Sequence, residues 1–303
     1  MTLLIHPGFH KTATTWLQQV VFSDDRRFRS LLSHEEISDI LLLPREHAFD
    51  PDEARSLIEA KRHSQRPGIP DVISGEILSG NIMSGSRERF LAADRIAALN
   101  LPAKILLTVR AQVPIANSIY KQYVKRGGRL GLRDFLTFKQ EPGYFWFDPG
   151  TLNFDELARY YAQSFGEQNV LVLPQELLKK DRSKFLRLLF DFAGVETDHA
   201  DDDLKTAPAA GVSPPASGLA IIRFANTFRP SVFNPSPPSL MNHFGHALQS
   251  VGYRWKIGQR EAEQKMKREI KELLEGRFRE SNAKLQQFAP VDLGSLGYEM
   301  PRD

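Results

Sequence analysis

Short apolar runs separated by longer amphipathic stretches set the pattern of this chain. Leu3–His6, Asp71–Ser74, Lys104–Val109 and Asn169–Leu173 are runs of four to six mostly apolar residues without in–out alternation. That is the pattern of strands buried on both faces, as in a parallel sheet. Between them, apolar residues recur at helical spacing over Thr14–Val21, Ser86–Leu99, Val113–Val124, Phe154–Phe165 and Arg182–Phe192. Asp181 is placed to cap the last of these and Gly194 to stop it. Strand–helix alternation predicts an α/β fold with right-handed crossovers, a three-layer sandwich around a central, mainly parallel sheet.

The pattern changes after residue 205. Pro208, Pro214, Pro215, Pro230, Pro235, Pro237 and Pro238 punctuate 206–240, leaving room for a short helix around Leu219–Phe228. This reads as a surface excursion and a candidate lid. A long charged helix, about Arg260–Phe288, is expected next, with Met266, Ile270, Leu273, Leu274, Phe278, Leu285 and Phe288 on one stripe. The stripe is expected to dock on the sheet or its helices, with a homodimer interface as its other use. The whole reads as a single domain over 1–303: an α/β core over 1–205, the Pro-rich segment 206–258, and a helical extension and tail over 259–303.

Composition narrows the function. Cysteine is absent, which excludes disulfides, thiolate metal sites and a cysteine nucleophile. Forty basic and 37 acidic residues give a net charge of +3, with the signs interspersed. No long basic block with interleaved aromatics appears, so a nucleic-acid partner is not expected. Leu3-Leu4-Ile5 reads as the start of a domain, no apolar stretch approaches a membrane span, and a cytoplasmic location is expected.

The candidate chemistry begins at Gly8-Phe9-His10-Lys11-Thr12-Ala13-Thr14-Thr15, between the first strand and the first helix. Backbone N–H groups and the helix dipole favour an anion at such a turn; Lys11 adds a charge and the threonines add hydroxyl donors. The loop is not a Walker A motif, because His10 stands where that motif needs a glycine before the lysine. A second cation, Arg110, ends the strand Lys104–Val109, and Ser118 follows eight residues later at the expected start of the next helix. A guanidinium fork reads phosphate oxygens bidentately, and a hydroxyl near a helix start adds a donor.

Lys11-Thr12-Ala13-Thr14-Thr15-Trp16-Leu17 resembles the 5′-phosphosulfate loop of sulfotransferases that use 3′-phosphoadenosine-5′-phosphosulfate (PAPS), commonly Lys-Ser-Gly-Thr-Thr-Trp-Leu. Thr12 replaces the serine and Ala13 the glycine. The Arg110, Pro114, Ser118 and Tyr120 segment resembles the 3′-phosphate motif of the same family. Asn169–Leu173 with Glu176 and Asp181, and a closing helix around Ser281-Asn282, extend the resemblance to glycan-type and bacterial members. The Arg-Lys-Gly segment of cytosolic members is missing.

The resemblance implies a P-loop-like sulfotransferase fold with PAPS as donor, 3′-phosphoadenosine-5′-phosphate (PAP) as product and no metal. It places Gly8, Phe9, His10, Lys11, Thr12, Ala13, Thr14, Thr15, Arg110 and Ser118 around the nucleotide. Lys11 is expected to stabilise charge on the leaving oxygen. Glu76, after the second predicted strand, is the first candidate for general base and His10 the second. The acceptor is a hydroxyl or amine, on a carbohydrate or other small hydroxylated molecule. Tyr123, Lys125, Arg126, Arg129, Tyr144, Phe145, Trp146 and Phe147 are candidates for its pocket, although Tyr144–Phe147 reads first as a hydrophobic plug. Two other readings stand: a phosphotransferase using ATP and magnesium, with Glu76 as a metal ligand, and a catalytically silent nucleotide-binding protein.

Overall fold

The apolar runs become the strands β1 (Leu3–His6), β3 (Asp71–Ser74), β4 (Ala103–Val109) and β5 (Val170–Pro174), with a two-residue β2 (Arg29–Ser30) at one edge. All pair in parallel, in the order β2-β3-β1-β4-β5. The computed structural model describes residues 3–62, 68–137, 147–195 and 213–302. Tyr144, Phe145, Trp146 and Pro208 lie outside the described residues.

Leu4 pairs with Val72 on one side and Lys104 on the other, which fixes which side chains share a face. On one face Leu4, Val72 and Leu106 pack with Trp16, Leu17, Phe22, Phe185 and Leu189. The helix Phe154–Phe165 covers β4 and β5 on the other, with Arg89–Ala98 beside it. Helices on both faces of a parallel sheet give the expected three layers. β2 carries no apolar run; Arg29 N–H bonds to Pro70 O at 3.0 Å and Leu31 N–H to Val72 O at 2.9 Å. Arg29 and Arg62 both donate to the fully buried Asp71, at 2.7 and 3.0 Å, so that carboxylate is paired twice rather than stranded.

The chain divides into two compact units, one of Met1–Ala111, Gly150–Ala210 and Phe278–Asp303, the other of Gln112–Pro149 and Gly211–Arg277. The sheet belongs to the first. Among the described residues the second is helical, with Gln112–Lys125, Leu132–Thr137, Leu219–Ala225, Asn242–Arg254 and Gln259–Leu274 as its α-helices. Its aromatic core stacks Tyr123 and Phe147 against Phe135, at ring distances of 4.8 and 4.9 Å. The buried Asn226 side chain donates to Val124 O and Gly128 O, both at 2.9 Å. Lys121 and Asn117 both bond Glu263, tying Gln112–Lys125 to Gln259–Leu274.

The long helix expected over 260–288 is interrupted. Gln259–Leu274 ends at Glu275, Gly276 adopts φ 72°, and a shorter helix, Arg279–Leu285, begins afterwards. The stripe serves two cores: Met266, Ile270 and Leu274 are buried in one unit, Phe278, Leu285 and Phe288 in the other.

Candidate functional site

The loop Gly8–Thr15 leaves the carboxyl end of β1, and Arg110 leaves that of its neighbour β4. β1 connects onward to strands on one side of the sheet and β4 to β5 on the other, so the two ends flank the switch point where α/β sheets open a crevice. Phe9 N–H donates to Thr108 O at 3.2 Å, stitching the loop to β4. Lys11 and Ala13 both adopt left-handed backbone, with φ 67° and 70°. The turn then enters the helix Thr14–Trp16, which continues in wider turns through Leu17–Val21. First-turn N–H groups have no partner within a helix, so this end of the loop presents donors. Lys11 is half-buried and Thr15 exposed.

Gly8 is required by its surroundings. A Cβ there would lie 2.4 Å from His6 Nε2, 2.6 Å from Thr14 Cγ2 and 2.7 Å from Thr108 Oγ1. His6 and Thr108 belong to a buried hydrogen-bonded chain beneath the loop. Its proton order follows by elimination. Thr12 Oγ1 donates to Phe9 O, so at 2.8 Å it accepts from Thr108. Thr108 has then spent its proton and accepts from His6 Nε2–H at 3.0 Å. His6 Nδ1 is the acceptor for Ser74 Oγ–H at 2.8 Å, and Ser74 in turn accepts from Gln18 Nε2 at 3.2 Å. Complete burial pushes the His6 pKa down to about 3, against the opposing pull of Glu76, so the ring is neutral, as this order requires. Nothing in the residue pattern marks this network, because a lone histidine on a strand looks like any core histidine.

Glu76 follows β3 and reaches the loop. Its Oε2 accepts from Thr14 Oγ1 at 2.6 Å, and its Oε1 lies 3.4 Å from His10 Nδ1. His10 Nε2 faces Gly80 O at 3.1 Å, so the ring is held between two oxygen acceptors. Hydrogen bonding from His10 holds the Glu76 pKa down to about 2, aided by Thr14 and the Lys11 charge and opposed by burial. Arg110 Nη1 lies 3.5 Å from Lys11 O. Just after β5, Glu176 accepts from Ala111 N–H, next to Arg110, and from Tyr298 O–H, both at 3.3 Å.

The structure therefore brings Gly8, Phe9, His10, Lys11, Thr12, Ala13, Thr14, Thr15, Glu76 and Arg110 together in the first unit. Two hydroxyls are directed elsewhere than toward a ligand: Thr12 to Phe9 and Thr108, Thr14 to Glu76. Phe9 is buried against Phe154, 4.7 Å between ring centres, and its backbone N–H and C=O are taken by Thr108 O and Thr12 Oγ1, so it shapes the loop rather than facing a ligand. Ser118 is not at a helix start. It is the seventh residue of Gln112–Lys125, because that helix begins immediately after the strand, and it belongs to the second unit. Tyr123 is a core residue whose hydroxyl accepts from the N–H groups of Arg129 and Leu130, both at 3.0 Å. Phe147 is buried too, as a plug residue would be, while Lys125, Arg126 and Arg129 are exposed. Glu176 and Tyr298, which the sequence pattern does not place at the site, are tied to the backbone next to Arg110 through Ala111 N–H.

No protein-family model matches the chain, and no curated protein does. Among solved structures, a sulfotransferase from Alicyclobacillus acidocaldarius is similar at 17% identity, over 84% of this chain and 96% of that chain, with a TM-score of 0.49. A likeness of that degree decides nothing about chemistry, which rests on the residues of the site.

Proposed function

We propose that this chain is a sulfotransferase that moves the sulfuryl group of PAPS to a hydroxyl or amine of an acceptor, releasing PAP. The observation that carries the reading is the loop Gly8–Thr15 between β1 and its helix, with left-handed Lys11 and Ala13 and with Arg110 on the adjacent strand end. Successive N–H groups in such a loop form an anion-binding concavity. The cradle suits a phosphate because Gly8 lets the turn lie close over β4.

In this reading Lys11, the loop N–H groups and the Thr15 hydroxyl bind the 5′-phosphosulfate, and Arg110 binds the 3′-phosphate. The acceptor oxygen or nitrogen forms the new bond to sulfur as the bond from sulfur to the phosphate oxygen breaks. Lys11 stabilises the charge left on that oxygen. The acceptor's proton passes to Glu76, whose carboxylate is held ionised by His10 and Thr14. Negative charge bound at the loop offsets Lys11, the smallest of the influences that hold the Glu76 pKa down, and so shifts it upward from about 2. Thr14 serves as positioner of that carboxylate. No residue is assigned to adenine.

Calorimetric titration with PAP, beside ATP with magnesium, tests the donor site. Metal-free PAP binding is expected for the wild type, with Arg110→Ala weaker by roughly tenfold to a hundredfold, the loss of a charge-assisted contact. Lys11→Ala is expected to lower turnover more than PAP affinity. Preference for ATP with magnesium would replace the proposal with a phosphotransferase, and full activity of Lys11→Ala would remove that residue from the mechanism. Normal turnover of Glu76→Gln would pass the base role to His10.

A further inference from the structure

The second unit carries a surface that the proposed reaction does not use. Among the described residues ten large apolar side chains are exposed, and eight of them fall between Phe224 and Ile257. Soluble proteins scatter such residues singly; a concentration of this kind marks a contact surface. Phe244, Leu248, Val251 and Trp255 stand at helical spacing along and just beyond Asn242–Arg254, so they form one stripe. Phe244, Val251 and Trp255 are 47%, 47% and 44% exposed, and Leu240 before the helix is 97% exposed.

The neighbouring face of this helix is spent on packing. A Cβ at Gly252 would lie 2.6 Å from Ile222 Cγ1, and one at Gly245 would lie 3.1 Å from Ala225 O, so both glycines sit against Leu219–Ala225. The helix cannot turn its apolar stripe inward without giving up that seam. Phe228 bridges the pair, 5.3 Å from Phe224 and 5.4 Å from Phe244, which makes the exposed rings one continuous patch.

Charge identifies the partner. From Ser213 to Arg260 there is no Asp or Glu, in a chain that has 37 of them, while Arg223, Arg229, Arg254, Lys256 and Arg260 lie within it. Arg254 and Lys256 bracket Trp255 at the end of the stripe, and His243 and His246 are exposed near its start. Exposed aromatic and aliphatic side chains flanked by cations alone are the features of a helix that lies in an anionic membrane interface. A second copy is the poorer fit: a symmetric pairing would set these cations against their own equivalents with no carboxylate of the segment to answer them.

We propose that the Phe224–Ile257 surface is a peripheral docking face for an anionic lipid bilayer, with Phe244, Val251 and Trp255 entering the interface and Arg254 and Lys256 meeting lipid phosphates. This is surface binding rather than insertion across a bilayer; no helix among the described residues is long and apolar enough to cross one. It does not depend on the reaction assigned to the first unit.

Sedimentation of the full chain with vesicles of phosphatidylcholine, alone or carrying a fraction of phosphatidylglycerol, tests it. Partition onto the anionic vesicles alone is expected, weakening as salt rises. Phe244→Ser, Val251→Ser and Trp255→Ser combined should abolish it while the far-ultraviolet circular dichroism stays that of the wild type, the lost Phe244–Phe228 contact lowering only the melt. Arg254→Gln with Lys256→Gln should weaken it about thirtyfold and fold normally. Failure of the wild type to sediment with anionic vesicles overturns the proposal, as does retained binding in both variants. Light scattering that finds a wild-type dimer split by the triple substitution also overturns it, assigning the face to a second copy.

Discussion

Ala13 stands where a left-handed turn is needed and glycine is the residue that pays least for it. Its Cβ costs about 1–2 kcal/mol in that conformation, while glycine would lose about 0.5–1 kcal/mol of chain entropy on folding. Ala13→Gly is therefore expected to stabilise the protein by roughly 0.5–1 kcal/mol, read from urea unfolding. An unchanged or lower midpoint would contradict the left-handed backbone at φ 70°. Gly8 marks the opposite case, since any side chain there would strike the hydrogen-bonded pair His6 and Thr108. The site was legible in the sequence where it is local: Lys11 through Thr15 are contiguous, and Arg110 and Glu76 follow strands that the apolar runs mark. It was illegible where it is made by pairing. His6, Ser74 and Thr108 meet only because β3, β1 and β4 are neighbours, and Glu176 and Tyr298 are 122 residues apart.

At the scale of elements, burial decided what could be read. β1, β3, β4 and β5 are covered on both faces, so their apolar runs gave them to within a residue, whereas β2 is held by backbone bonds and the Arg29–Asp71 pair, which leave no hydrophobic signature. Asp181 caps its helix by accepting from Lys184 N–H at 2.9 Å, and Gly194 ends it at φ 75°, both as expected from residue type. Asn242–Arg254 escaped notice because its apolar stripe faces outward and two glycines interrupt its helix propensity. Those glycines belong to a close crossing. A Cβ on Gly218 would come within 1.9 Å of Gly252 O, a backbone atom that cannot swing aside. Gly218→Ala is expected to force the two helices apart and cost about 1–3 kcal/mol, measurable as a lower melting temperature. A melt identical to wild type would mean that the crossing is looser than this.

For the molecule as a whole, acid is the solvent change to which the site couples most directly. His6 falls from 6.5 to about 3 on folding, and Glu76 from 4.5 to about 2. In both cases the unfolded chain binds more protons inside the window, so stability is lost as pH falls, first between about 6.5 and 3 through His6 and then between 4.5 and about 2 through Glu76. His6→Gln keeps a donor and an acceptor without the titration. Its stability should fall less steeply than wild type across the His6 window, by up to about 1.4 kcal/mol per pH unit. Equal slopes in urea midpoints against pH would show that His6 does not titrate there. The division of the chain has a consequence for its synthesis. The sheet-bearing unit supplies the first residues and also Phe278–Asp303, where Ser281 donates to Asp155 and Tyr298 to Glu176. The helical unit ends at Arg277. On the ribosome, the unit that begins to emerge first is thus the last to be closed, and its site waits with the strand ends made but Tyr298 still to come.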